Sequence, residues 1–343
     1  MNIISNKPRE AETAGWKQIV ARYAQADLWP SIWQLTNTLI PFFALWALMA
    51  FCVHISYWLT LLLVIPTAGF MVRTFIIFHD CGHGSFFKSQ TANTVVGIVT
   101  GILTFTPFLS WRREHAIHHA TAGDLDRRGV GDVKTMTVQE YLTAPWWKKA
   151  SYRIFRNPLV MFTVGSFFVF TVVHRFPRPA DGKRERGNVL FTNLALAAVI
   201  SLLIWLVGWK TFLLVQVPLM VLGTSVGVWL FYVQHNFDPT YWERHNKWEF
   251  VRAGFEGSSF YKLPGILQWF SGNIGFHHIH HLNPRIPNYK LPQAYRENPI
   301  FHVTPMTILA SLSSLRMRLY DEERRIMVGW EALKRYRQKS LSA

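Results

Sequence analysis

Apolar residues fall into six stretches separated by polar segments: Trp33 to Val53, Trp58 to Phe78, Val95 to Leu109, Leu159 to Val173, Val189 to Val207, and Phe212 to Val233. Four of them approach the roughly 18–20 residues that a helix needs to cross hydrocarbon. They predict spans over 33–53, 58–78, 189–207 and 212–233. The stretches from Val95 and Leu159 are shorter, which fits re-entrant or interfacial segments. Basic residues favour the cytoplasmic side of a membrane. Lys7, Arg9, Lys17 and Arg22 precede the first span, and Arg175, Arg178, Lys183, Arg184 and Arg186 lie between His174 and Asn188. His54 to Tyr57 holds no Lys or Arg and Gly208 to Thr211 only Lys210, so these links belong outside. Gly187-Asn188 and Gly208 read as breakers at span ends. After Val233 the chain turns polar and aromatic, as a cytoplasmic cap would. From Thr307 to Arg337 a helical period with Arg316, Arg318, Arg324 and Arg325 predicts one amphipathic helix, on the membrane surface or in the cap. The polar N-terminus reads as no signal peptide. The pattern as a whole predicts an all-α integral membrane protein. Its four transmembrane helices form two hairpins in one domain over 1–343, with 79–188 and 234–343 supplying a cap.

Three histidine clusters punctuate this pattern: His79-Asp80-Cys81-Gly82-His83, His115-Ala116-Ile117-His118-His119, and His277-His278-Ile279-His280-His281. A helix sets residues i, i+3 and i+4 on one side, so each cluster can aim two or three imidazoles at one point. If the clusters share a site, they lie on one side of the membrane and an even number of crossings separates them. One apolar stretch lies between His83 and His115, so it does not cross. Three lie between His119 and His277, so two cross. Length and charge select the same two. Imidazole suits Fe, Zn, Cu and Ni. One tetrahedral zinc takes three or four ligands, and the boxes hold at least eight, about right for two metals. The Glu of a His-Glu-x-x-His zinc protease is missing. His54, His174, His245 and His302 stand alone and read as ordinary interface or structural residues, the first two at span ends. Cys52 and Cys81 form no Cys-x-x-Cys, which excludes a disulfide framework or iron–sulfur site, and Cys81 reads as a small spacer.

The residues around the boxes carry a resemblance. His79 through Phe87 (HDCGHGSFF), Trp111 through Thr121 (WRREHAIHHAT) and Asn273 through Tyr289 (NIGFHHIHHLNPRIPNY) resemble the three boxes of the membrane fatty acid desaturases, nearest to bacterial acyl-lipid enzymes of the delta-12 and delta-5 group. The likeness runs from about Trp58 to Tyr295. It implies two iron ions held by His79, His83, His115, His118, His119, His277, His280 and His281, with His278 a spacer. It also implies a ninth ligand just after the last span, which falls on His235 in Gln234-His235-Asn236-Phe237. Animal acyl-CoA desaturases have an Asn four residues before that position; here it is Phe231, so their water-binding arrangement does not carry over. Asp80, Glu114, Asp124 and Asp126 lie near the boxes as candidates to orient imidazoles or to form salt bridges.

The resemblance implies an O2-dependent desaturase that introduces a cis double bond into the acyl chain of a membrane lipid. The chain has no Gly-x-Gly-x-x-Gly, haem-domain or iron–sulfur motif, so electrons come from a separate donor, ferredoxin or flavodoxin by the resemblance. A net charge of +16 would attract such an acidic partner as well as anionic lipid. Nucleic acid is not the expected partner, because the basic residues are scattered and no nucleic-acid motif accompanies them. The expected location is the bacterial cytoplasmic membrane, with the boxes and both termini inside. The alternatives are a membrane hydroxylase or ketolase of the same metal architecture, a polytopic haem or metal-transport protein, and a sensor with a structural metal.

Overall fold

A computed structural model describes residues 15–341; Lys7 and Arg9 lie outside the described residues. In chain order the elements are α1 (Trp16–Tyr23), α2 (Leu28–Cys52), α3 (Tyr57–His83), α4 (Gln90–Leu103), α5 (Phe108–Thr121), β1 (Met136–Thr137), α6 (Val138–Thr143), α7 (Trp146–Phe155), a π-helical turn (Val160–Gly165) running into α8 (Ser166–Thr171), α9 (Lys183–Val207), α10 (Trp209–His235), α11 (Phe250–Glu256), α12 (Gly265–Phe270), α13 (His277–Leu282), α14 (Leu291–Glu297), α15 (Ile308–Ser311), β2 (Leu319–Asp321), β3 (Ile326–Val328) and α16 (Ala332–Leu341). Among the described residues, α2, α3, α9 and α10 are the four single helices long and apolar enough to cross a membrane. The chain is a membrane protein of two helical hairpins, α2–α3 and α9–α10.

Each spanning helix continues past its apolar window, since a helix does not stop where hydrocarbon does. The extension of α3 carries His79 and His83, and that of α10 carries His235. Helix α9 runs straight through Gly187 and Asn188, so these residues do not break a span. The Asn188 side chain instead accepts from the backbone N–H of Leu109, tying α9 to α5. Phe42, Met49, Val64, Met71, Val215 and Leu219 interdigitate between α2, α3 and α10. Exposed Trp58, Trp205 and Trp209 lie at one end of the spanning helices, and exposed Trp29 and Trp33, in the first turns of α2, at the other, where indole rings favour the interface.

The two shorter apolar stretches bend. Helices α4 and α5 meet at 102°, and the pair from Trp146–Phe155 to Val160–Arg175 at 76°. The α4–α5 bend depends on small residues. A Cβ on Gly97 would fall 2.2 Å from the Phe108 ring, and one on Gly101 2.5 Å from the Thr106 carbonyl oxygen. His174 lies at the end of the second bent segment and is buried rather than at the interface; its ring packs edge-on to Phe170 at 5.0 Å.

The cap departs from the sequence reading at its C-terminal end. No single amphipathic helix covers Thr307 to Arg337. α15, a 3-10 turn, the β2–β3 hairpin and α16 take its place. β2 pairs in parallel with β1 (Met136 opposite Leu319) and antiparallel with β3, so a small sheet joins two distant parts of the cap. Arg316 and Arg318 flank an extended segment, and Arg325 sits at φ 55° in the turn, so the arginines mark a hairpin and not a helical face. Leu319 and Val328 bury against Val138, Tyr141 and Tyr152.

Candidate metal centre

Four helices bring the boxes together. α3 contributes His79 and His83, one turn apart. α5 contributes His115, His118 and His119, α10 His235, and α13 His277, His280 and His281. Helix α13 is only six residues long and is placed from both ends. Gln234 Nε2 donates to the Ile274 carbonyl at 2.9 Å, linking its lead-in to α10. Asn273 Nδ2 donates to the Asn288 carbonyl at 3.2 Å beyond it.

The nine histidines fall into two groups. His79, His83, His115, His119 and His280 form the first, and His118, His235, His277 and His281 the second; within each group the ligand-capable nitrogens lie within 4.8 Å of one another. α5 and α13 serve both groups, whereas α3 serves only the first and α10 only the second. The His119 and His281 rings stack at 4.2 Å and 18° where the groups meet. Trp111 stacks on His115 at 4.3 Å and 20°, backing the first group. His278 joins neither group: it is buried and its Nε2 donates to the Phe301 carbonyl at 2.9 Å.

The tautomers show what the groups require. A carbonyl oxygen only accepts, so His235 donates its Nδ1–H to Gly257 O at 3.2 Å, leaving a lone pair on Nε2. The Asp132 carboxylate takes the Nδ1–H of His118 in the same way. The two Nε2 atoms are nevertheless 3.1 Å apart, and His277 Nε2 lies 2.9 Å from His235 Nε2. In the first group, Nε2 pairs of His115–His119 and His119–His280 both lie at 3.1 Å. Converging lone pairs in a buried site repel unless a cation lies between them. Two nitrogens about 2.1 Å from one ion and at right angles would stand about 3 Å apart. Protons do not fill this role: burial, reinforced by the neighbouring imidazoles, holds His115, His119, His277, His280 and His281 well below the ordinary histidine value. The buried Nε2 of His83, without a hydrogen-bond partner, is a further open donor. The residues therefore fit two metal ions bound by nitrogen alone.

Of the four candidate orienting acids, Asp80 alone touches a box histidine. Its Oδ1 lies 3.2 Å from His79 Nδ1, while its Oδ2 accepts from Asn288 N at 2.7 Å and Nδ2 at 2.8 Å. Gln34 Nε2 donates to Asn288 Oδ1 at 2.9 Å, extending the chain of bonds to α2. Glu114 instead pairs with Arg178 at 2.7 Å. Asp124 binds Arg127 and His245, and Asp126 binds Arg244. The second carboxylate, Asp132, was not singled out from the sequence. Its signal is the Gly129-Val130-Gly131 run before it: Gly131 has φ 70°, and a Cβ there would press within 3.0 Å of Glu114 O and of His118 Cβ. Glycine lets the loop fold flat onto α5 and deliver Asp132 to His118. Phe231, one turn before His235, sets its ring 5.2 Å from that of His118 and 5.4 Å from that of His235. An apolar wall thus stands beside the second group. Cys81 is buried among Ile77, Phe78, Phe86 and Phe108 and belongs to neither group.

Comparison with known proteins agrees with this architecture. The family model described as Fatty acid desaturase matches residues 56–307. A Bacillus subtilis protein named fatty acid desaturase is 48% identical over 316 residues, covering 92% of this chain and 90% of that protein. A Synechocystis sn-1 acyl-lipid omega-3 desaturase (ferredoxin) is 30% identical over 64% of this chain and 62% of its own length. An Anabaena variabilis sn-1 oleoyl-lipid 12-desaturase is 29% identical over 64% of this chain and 63% of its own length.

Proposed function

Since the chain belongs to the fatty acid desaturase family, we propose that it introduces a cis double bond into the acyl chain of a membrane lipid, with two irons held by the nine histidines and electrons from an acidic carrier, ferredoxin or flavodoxin. The whole chain works as one unit, in the bacterial cytoplasmic membrane with the histidine groups and both termini on the cytoplasmic side. The observation that carries this reading is the convergence of nine imidazoles into two groups at the membrane-proximal ends of α3 and α10. The basic run from Arg175 to Arg186 favours the orientation. The Synechocystis relative's name, which includes ferredoxin, favours the donor.

Iron bound there supplies the reduction of O2 and the removal of hydrogen from an unactivated methylene. The overall reaction balances when a CH2–CH2 unit gives up two hydrogens and the donor supplies two electrons with two protons, so that one O2 leaves as two waters. The protein's part is to hold and exclude. Asp80, Asp132 and Gly257 O fix three imidazoles by their Nδ1–H groups, which sets the direction of the Nε2 lone pairs. Phe231 and Trp111 keep water from the nitrogens. The apolar helices align the acyl chain so that one pair of carbons reaches the groups.

The test is gas chromatography–mass spectrometry of total fatty acids from a bacterium expressing the chain, beside His118→Ala. A new unsaturated acid that disappears in the variant is expected, and derivatisation locates its double bond. A hydroxy or keto acid would replace desaturation with oxygenation. An unchanged profile in cells holding iron-loaded protein and a working donor would overturn the reading.

A further inference from the structure

Electrons have to enter a site whose ligands are almost all enclosed. Eight of the nine histidines are buried, and His83 is the partly exposed one. His83 ends α3, and its ring lies 4.8 Å from that of His115 and 4.6 Å from that of His119. The helix bearing those two residues also carries an exposed stripe, Arg112, Ala116 and Ala120, at a spacing of four. Arg112 lies three residues before His115, so the stripe flanks the ligand face of α5 instead of pointing away from it. Two alanines in succession leave the wall beside the first group thin and flat.

The charge around this stripe has one sign. Exposed Lys88 follows His83 by five residues, and neither Lys88 nor Arg112 has an ion-pair partner among the described residues. The nearby acids are already engaged: Glu114 by Arg178, and Asp181 by the Ser110 hydroxyl at 2.8 Å with Arg113 at 3.8 Å. Helix α9, packed on α5 through the Leu109–Asn188 bond, begins with exposed Lys183, Arg184 and Arg186 against the single Glu185.

We infer that Arg112, Ala116 and Ala120, bordered by Lys88 and the start of α9, form the docking surface for an acidic one-electron carrier protein, with His83 as the edge of the metal centre that it faces. This rests on the desaturase reading and adds the place and chemistry of the partner. An anionic lipid surface would also meet the cations, but it gives no role to the alanine stripe or to the exposed edge of His83.

The experiment uses the iron-loaded full chain in zwitterionic detergent and a reduced plant-type [2Fe–2S] ferredoxin, whose oxidation is followed by stopped flow in the presence of O2 and lipid substrate. For Lys88→Glu/Arg112→Glu the KM for ferredoxin should rise about ten-fold, and the dependence of the rate on salt should flatten. Ala116→Trp should raise that KM without changing the salt dependence. Arg316→Glu, an exposed cation on the turn that packs on Tyr232 of α10 and outside the stripe, should behave as wild type. An unchanged KM in the double variant, or an equal rise in Arg316→Glu, would overturn the surface. So would a loss of activation by anionic vesicles with the ferredoxin KM unmoved, which would assign the cations to lipid. Failure of the wild-type protein to form product with ferredoxin or with dithionite would instead strike at the desaturase reading itself.

Discussion

His278 and His281 stand three residues apart in one run of histidines, yet they have different work. His281 Nε2 points into the second group, 3.1 Å from His277 Nε2, while His278 donates to a backbone carbonyl. His278→Gln is therefore expected to keep nearly full metal content and to cost on the order of 1 kcal/mol of stability. His281→Gln is expected to lose metal from the second group; iron per chain, by elemental analysis, separates the two outcomes. Burial also lowers the His278 value to about 4. The unfolded chain takes up its proton near pH 6.5 and the folded chain only near 4, so stability is full above about 6.5 and falls with pH down to about 4. The box histidines of α5 and α13 with depressed values act in the same direction. Melting of the metal-free protein should therefore move to lower temperature from pH 7 to pH 5; a flat profile would mean that these imidazoles are solvated. At this scale helical spacing already showed that each box can aim two or three imidazoles at one point, whereas leaving out His278 and adding His235 came with the family resemblance. Gly257 left no mark in the sequence, since its contribution is a backbone carbonyl. Asp132 left only the glycines that bend its loop.

Among the elements, the α4–α5 bend sets where α5 presents its histidines. Gly97→Val would force Cβ and its methyls into the Phe108 ring. Overpacking of this kind costs about 1–3 kcal/mol, and it would displace α5. The expected outcome is reduced metal content together with a lower melting temperature, whereas Gly187→Ala, at an open position inside α9, should leave both unchanged. The spans were legible because hydrocarbon demands long apolar runs. Their ends were not, because the helical extensions that carry His79, His83 and His235 are polar. The C-terminal hairpin was misread for another reason. Its arginines satisfy a helical period by number, but the buried Leu319, Tyr320 and Asp321 on β2 take their partners from β1 and β3, and β1 lies far away in the chain.

For the molecule as a whole, one fastening between cap and membrane bundle runs through Arg73. It is buried in α3, its guanidinium lies 3.9 Å over the Trp269 ring, and it donates to Thr38 Oγ1 at 3.1 Å and to the Trp269 carbonyl. It thereby joins α2, α3 and α12. A cation at this depth has to be enclosed by such partners. Arg73→Leu leaves the Trp269 carbonyl without its donor and removes the stacking, a cost of about 1–3 kcal/mol. Earlier proteolysis at α12 than in wild type is the expected readout; equal rates would show that the cap is held elsewhere. The parity of crossings between boxes made the two-hairpin plan readable from the sequence, whereas this fastening was not, since Arg73 sits inside an otherwise apolar run with no patterned partner.

The unequal sharing of ligands between the groups bears on the order in which the protein can be made. His79, His83, His115 and His119 have all left the ribosome before the second hairpin is synthesised, so the first group has four of its five nitrogens while only one hairpin is in the membrane. The second group has His118 alone until His235 emerges, and it is completed only by His277 and His281. Were each group to hold a metal, a growing chain could offer most of the first site early, with His280 arriving later to complete it, whereas the second site would form only after both hairpins are inserted. Metal uptake there would then come late and tie together hairpins that were inserted separately.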